Sequence, residues 1–253
     1  MNAQELIDKI LTTKEVEDVN GKVYPLQSNL DYDEGNFIQQ LIEQYKPMST
    51  LEVGCAFGIS SLFICSKLES KACHIIIDPN QSTDWKNIGI GNLNTVGFTN
   101  YTLIESVSEL VLPKLVEKKT QLDFALIDGW HTLDHTLIDF FYINRMLKVG
   151  GIVVIDDVGM PGIRKIVRYI LNYPGYQLIG SIKIKNSFKR NLFKYLVEKP
   201  FALIASLLPL KLAWKLFSSD VLKDENKLGI NTSMVALRKI TDDKRPWNWY
   251  KEF

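Results

Sequence analysis

Five short apolar runs, each with an acidic residue at or near its end, constrain this chain more than any other feature. They are STLEV (49–53), HIIID (74–78), YTLIE (101–105), DFALID (123–128) and GIVVID (151–156). Continuous Ile, Val and Leu without polar alternation is what a strand buried on both faces requires. Between these runs SSLFICSKL, SELVLPKLVEKK and TLIDFFYINRML space their apolar residues three and four apart, which predicts helices. The alternation predicts a doubly wound, mostly parallel α/β sheet with right-handed crossovers and helices on both faces. Ligands in such sheets lie beyond the carboxyl ends of the strands. Glu52, Asp78, Glu105, Asp128, Asp156 and Asp157 collect on that rim. Any one of them is as well explained as a turn or cap residue, but a series across five strand ends is not.

The chain's 253 residues and 46% hydrophobic content suffice for a buried core. A formal charge of +1 argues against a general nucleic-acid binder, and Cys55, Cys65 and Cys73 have neither zinc nor redox spacing. A reducing cytoplasm is the expected compartment. The acidic residues of MNAQELIDKILTTKEVEDV exclude a signal peptide, and no uncharged apolar stretch reaches membrane-spanning length.

The first turn, LEVGCAFGIS (51–60), decides the ligand class. It has neither the G-x-G-x-x-G of a dinucleotide site nor the lysine of a P-loop, which disfavours pyrophosphate and makes a nicotinamide oxidoreductase improbable. The pattern E-x-G-x-x-x-G lets the chain bend and a ligand approach the backbone, which suits a bulkier, less anionic nucleoside.

LEVGCAFGIS and Asp78 in IIIDPNQ resemble the first and second motifs of class I S-adenosylmethionine-dependent methyltransferases. FALIDGWHTLDHTLIDFFYINRMLKVGGIVVIDDV resembles their O-methyltransferase branch, which includes small-molecule, sugar and macrolide enzymes, and DEGNFIQQLIEQYKP (33–47) resembles the helix leading into that domain. The resemblance covers about residues 28–180. It implies a seven-stranded Rossmann-like sheet, with Gly54 and Gly58 against the cofactor, Asp78 accepting both ribose hydroxyls, Glu52 near the methionine end and Ser108 near the adenine. A glycine and an aspartate common in the next motif are Ser106 and Val107 here.

The resemblance also implies that Asp128, Asp156 and Asp157 hold a divalent cation on the acceptor oxygen, and an all-oxygen set favours Mg²⁺ or Ca²⁺. Asp156 and Asp157 are adjacent, so both can face one ion only if the chain turns at once, as VGMPGIRK suggests. The alternative is that one of them caps the next helix. His131, in D-G-x-H context, is the expected general base beside Asp128. His135 is expected to pack or orient its helix, and His74 to be structural. Trp130 either stacks on an acceptor ring or belongs to the core, and Trp85 either neighbours adenine or packs in a helix.

The expected organisation is an N-terminal helical segment (1–35), a methyltransferase domain (36–240) with a basic apolar helical insertion at about 181–225, and a tail (241–253) that closes over a neighbour or the site. Residues 181–217 carry eight Lys/Arg and one Glu, a local charge of +7 that leaves the rest near −6. That insertion is read as a packed helical pair or subunit interface, a substrate lid, or a peripheral contact with an inner membrane surface. TSMVALRK (232–239) is expected as the last strand. The function expected is transfer of a methyl group to a hydroxyl of a small molecule, sugar or glycan. The alternative is an inactive nucleoside-binding or peripheral membrane module on the same fold.

Overall fold

The computed structural model describes residues 1–27, 30–183 and 232–251, together with Leu207. Its centre is a seven-stranded sheet in the order β5-β4-β3-β6-β7-β9-β8. The strands are β3 (Ser49–Val53), β4 (Cys73–Ile77), β5 (Tyr101–Ile104), β6 (Leu122–Ile127), β7 (Leu147–Ile155), β8 (Tyr176–Lys183) and β9 (Thr232–Lys239). The pairs from β5 to β7 are parallel, whereas β9 runs antiparallel to both β7 and β8. The fold is thus the expected Rossmann-like one, mixed only at its far edge. The chain reverses between β3 and β6, and that is where a doubly wound sheet opens a ligand crevice.

Helices α2 (Tyr32–Tyr45), α3 (Ile59–Cys65), α4 (Ile88–Thr95), α5 (Ser108–Glu117), α6 (Leu133–Met146) and α7 (Pro161–Asn172) cover the sheet. On one face Leu51, Val53, Ile127, Val153 and Ile155 pack with α5, α6 and α7. On the other, Ile76 packs with α3 and α1 (Ala3–Thr13), and Leu126 and Val154 pack with α2. Complete burial of side chains on both faces of the central strands explains their unbroken apolar sequence.

Three features differ from the sequence expectation. The N-terminal segment is not only helical: β1 (Glu15–Glu17) and β2 (Val23–Pro25) form a hairpin whose turn is tied by Asp18 Oδ1, which accepts from the N–H groups of Asn20 and Lys22. Ser181–Lys183 are not part of a helical insertion but close β8, an unexpected edge strand registered on β9 from Tyr176↔Lys239 to Lys183↔Thr232. The rest of the basic stretch, 184–231 apart from Leu207, lies outside the described residues. The tail does not close over the crevice. Lys239 Nζ donates to the carbonyls of Asn144 and Leu147, at the amino end of β7, and Arg245 beyond it stacks on Tyr173 and bonds Asp243. These contacts put 240–251 on the rim opposite the strand carboxyl ends. Among the described residues no helix is long and apolar enough to cross a membrane.

Candidate active site

A cavity of about 910 Å³ opens at the carboxyl ends of β3, β4, β6 and β7, a volume suited to a nucleoside and a small partner. Its floor is the turn after β3. Gly54 (φ +89°) and Ala56 (φ +47°) both adopt left-handed backbone conformations there. A Cβ on Gly54 would meet the Asp128 carbonyl oxygen at 2.1 Å, so only glycine lets β3 and β6 leave the sheet this close together. The N–H groups of Cys55 and Ala56 point to Asp78 Oδ2, at 3.0 and 2.8 Å, and Gln81 Nε2 donates to the same oxygen at 3.1 Å. Asp78 Oδ1 accepts only from the Asn80 N–H, at 2.8 Å. Asp78 is 3% exposed and lines the cavity. Its carboxylate therefore braces the turn and also faces the crevice.

Two of the residues expected at the cofactor lie elsewhere. Gly58 (φ +79°) does not line the cavity; a Cβ there would strike the backbone of Gly89 at 2.7 Å, so it serves the close approach of α3 to α4. Glu52 is fully buried and turned from the cavity, because the pleat of β3 puts Thr50 and Glu52 on the face that carries α3. There it accepts from the Ser60 and Ser61 hydroxyls, with His74 Nε2 at 3.0 Å, and Thr50 Oγ1 holds the other ring nitrogen of His74 at 2.8 Å. His74 is structural, as expected. Glu105, the remaining rim acid, accepts from the Ser82 N–H and hydroxyl outside the cavity.

Ser108, the first residue of α5, lines the cavity as the sequence suggested, and so does Trp85, which packs edge-on against Phe57 at 5.1 Å. Trp130 is 67% exposed and lines the cavity beside His135, with ring centroids 6.1 Å apart, so it is not a core residue. His135 faces the cavity too, its Nδ1 held by Thr132 Oγ1 at 2.8 Å.

The far wall gathers Asp128, His131, Asp156 and Asp157. Asp157 takes φ +54° immediately after β7, and this sharp turn allows two adjacent aspartates to face one cavity. His131 Nδ1 lies 3.1 Å from Asp157 Oδ2. One potential ligand atom from each of Asp128, His131 and Asp157 falls within 4.8 Å of the others, and Asp156 is outside that set. Among the described residues the closely spaced donor group is thus two carboxylates and an imidazole, and Asp156, expected as a third carboxylate ligand, lines the same cavity beside it. Burial, reinforced by the charges of Asp156 and Asp157, pushes the Asp128 carboxyl well above the usual carboxylate range. Burial and the nearby Glu34 do the same to Asp156. Crowded carboxylates that resist ionisation, grouped with an imidazole, are a donor set that fits a divalent cation, with the nitrogen ligand widening the choice beyond Mg²⁺ and Ca²⁺.

Glu34 was missed in the sequence. Its capping box with Asp31 is readable, since each side chain accepts from the other's backbone, but its place in the cavity depends on how α2 crosses the sheet.

Residues 51–158 match the family model of a methyltransferase domain. Over those residues the chain resembles a methyltransferase domain. Solved structures similar to it include the O-methyltransferase from Bacillus cereus in complex with SAH, at 16% identity and TM-score 0.57, covering 70% of this chain and 82% of that one. The O-methyltransferase TomG from Streptomyces achromogenes, involved in tomaymycin synthesis and solved with SAM, matches at 15% identity and TM-score 0.57, over 72% and 82% of the two chains. An SAH-bound methyltransferase from Podospora anserina matches at 16% and TM-score 0.56, over 70% and 81%. At these identities the likeness is one of fold.

Proposed function

We propose that this protein is an S-adenosylmethionine-dependent O-methyltransferase whose acceptor is a hydroxyl of a small molecule or sugar. The observation that carries the reading is that one cavity joins the braced Gly54–Ala56 turn to the Asp128, His131, Asp157 group. The first would hold the sulfonium nucleoside, and the second would prepare the acceptor. Each carboxylate oxygen offers about two lone-pair positions; Oδ2 of Asp78 is filled by its three donors, and Oδ1, with the Asn80 N–H on one position, has one left, for one ribose hydroxyl rather than two.

Methyl transfer is an in-line displacement. The acceptor oxygen bonds to the methyl carbon as the carbon–sulfur bond breaks, the thioether leaves, and the hydroxyl proton must go to a base. Alignment supplies most of the acceleration. His131 suits the base role: Asp157 engages Nδ1 and orients the ring, and Nε2 would take the proton. In the other reading of the same group, a divalent ion held by Asp128, His131 and Asp157 would lower the pKa of the acceptor hydroxyl, and His131 would then be a ligand instead of the base.

Calorimetric titration with S-adenosylhomocysteine and with NAD tests the cofactor. Tight NAD binding without binding of the thioether would overturn the assignment. Turnover after exhaustive chelation separates the two roles of the acid–imidazole group: full activity leaves His131 and Asp157 acting as a base pair alone, and loss restored by added Mg²⁺ or Mn²⁺ assigns the ion. Contact of residues 181–217 with an anionic membrane is a further proposal resting on charge pattern, and sedimentation with anionic liposomes at low salt tests it. Self-association is proposed on the family resemblance and is read by light scattering.

A further inference from the structure

Gln81, in the loop after β4, is completely buried and lies outside the cavity lining. The Asn80 N–H donates to Asp78 Oδ1 at 2.8 Å, a tight turn that folds the loop back and brings the Gln81 amide within reach of the Asp78 carboxylate. Gln81 Nε2 donates to Asp78 Oδ2 at 3.1 Å and to the Ala56 carbonyl at 2.7 Å, one bond for each of its two hydrogens. Both neighbours are acceptors, so the nitrogen must face them and the amide oxygen must face away. Among the described residues that Oε1 has no hydrogen-bond partner, and a Cβ on Gly89 would come within 3.0 Å of it. An unmatched oxygen away from water is a cost that a methionine of the same length would avoid. What the amide supplies against that cost is a hold on the turn after β3: the Ala56 N–H bonds Asp78 and the Ala56 carbonyl bonds Gln81, across a residue kept at φ +47°.

We propose that Gln81 is a positioning residue for ribose recognition: it locks Asp78 Oδ2 against the turn after β3, so that Oδ1 is the oxygen offered to the cavity. The inference rests on the reading that this cavity receives S-adenosylmethionine and that Asp78 meets its ribose. A residue that touches no ligand thereby selects which carboxylate oxygen a ligand meets. Without the amide, Asp78 keeps its bonds from the Cys55 and Ala56 N–H groups, but the Ala56 carbonyl is released and the carboxylate is freer to turn about its Cβ–Cγ bond. The single hydroxyl contact then loses its fixed acceptor.

The test uses the full chain and three probes, S-adenosylhomocysteine and its 2′-deoxy and 3′-deoxy forms, with affinity and melting measured on the same samples. In the parent, one deoxy form is expected to bind about tenfold more weakly than S-adenosylhomocysteine and the other within about threefold of it. Gln81→Met is expected to weaken S-adenosylhomocysteine by about tenfold and to bind the sensitive deoxy form as the parent does, because the contact that Gln81 serves is already gone. In an Asp78→Ala background Gln81→Met should cost little further affinity, since residues acting on one contact are not additive. Should methionine at 81 prevent folding, Gln81→Ala takes its place in the same cycle. A purely structural role would weaken all three ligands equally and in step with a fallen melting temperature, and that result overturns the proposal. So do unchanged affinity for S-adenosylhomocysteine, a loss that adds fully to that of Asp78→Ala, and a parent that is equally sensitive to both hydroxyls or to neither. Failure of the parent to bind S-adenosylhomocysteine would instead remove the methyltransferase reading beneath it.

Discussion

The two ends of the cavity are built on opposite principles. Over β3 and β4 the turn from Gly54 to Ala56 is satisfied: its free N–H groups, the Asp78 carboxylate and the Gln81 amide bond one another, and the bend is enforced by a glycine that admits no side chain. Over β6 and β7 the same rim collects Asp128, Asp156 and Asp157 with Glu34 nearby, and burial raises Asp128 and Asp156 above their usual range. The first end is shaped before any ligand arrives. The second holds like charges that a cation or a proton must balance. The proposed methyl transfer would gain from both, since a cofactor needs a fixed seat and an acceptor hydroxyl needs a group whose ionisation can shift.

The contrast can be broken, or sharpened, by experiment. The largest expected effect is at Gly54. Gly54→Ala forces a left-handed conformation on alanine and a clash with the Asp128 backbone, and should cost about 3 kcal/mol or more in chemical denaturation. Wild-type stability in that variant would mean that the braced end is softer than described. Asp78→Ala comes next. It strands the Cys55 and Ala56 N–H groups, and should lower stability by about 2 kcal/mol and S-adenosylhomocysteine affinity by roughly a hundredfold. Asp157→Ala, at the other end, should leave that affinity within about threefold while abolishing most turnover; equal losses in the two variants would erase the distinction between the ends.

A pH-resolved comparison follows. The folded-state pKa of Asp156 is raised, so the unfolded chain ionises first, and stability is lost as pH climbs from the ordinary carboxylate value through the folded one. Asp156→Asn should therefore melt higher than the parent at pH 8, by about 2–4 °C for each kcal/mol relieved, and coincide with it near pH 4. A shift of equal size at both pH values would rule out charge crowding as its cause. The smallest effect is expected from Ala56→Gly, which relieves a left-handed alanine but loosens the unfolded chain, for a net change below about 1 kcal/mol in melting experiments.

How much of this was legible in the sequence depended on how local the determinant was. The strand β3 was read to the residue, and β9 likewise, because unbroken apolar runs leave little choice of boundary. The edge strand β8 was not, since Tyr176–Lys183 is half exposed, is interrupted by Gly180, and exists through its pairing with β9. Asp78 and Asp128 were placed by the rule that strand carboxyl ends face the ligand. Glu52 escaped the same rule because one step of the pleat turns it to α3. Its partners, the Ser60–Ser61 pair and a histidine on the next strand, were the available signal. The pairing of His131 with Asp157 depended on a left-handed aspartate, a conformation that residue type permits but does not announce. Glu34 came to the cavity only through the crossing of α2 over the sheet, which no linear pattern records.

The reversed direction of β9 has one more consequence. The chain leaves the sheet at Lys183 and re-enters at Thr232, opposite each other in a single cross-strand pair, and the Val158 N–H donates to the Ser233 carbonyl one residue from Asp157. The two ends of the stretch between them are thus held by one rung of the ladder, on the side of the sheet where Asp157 lies. Changes at either anchor are therefore felt first next to Asp157, while the Gly54–Ala56 turn, two strands beyond β7, keeps its own bonds.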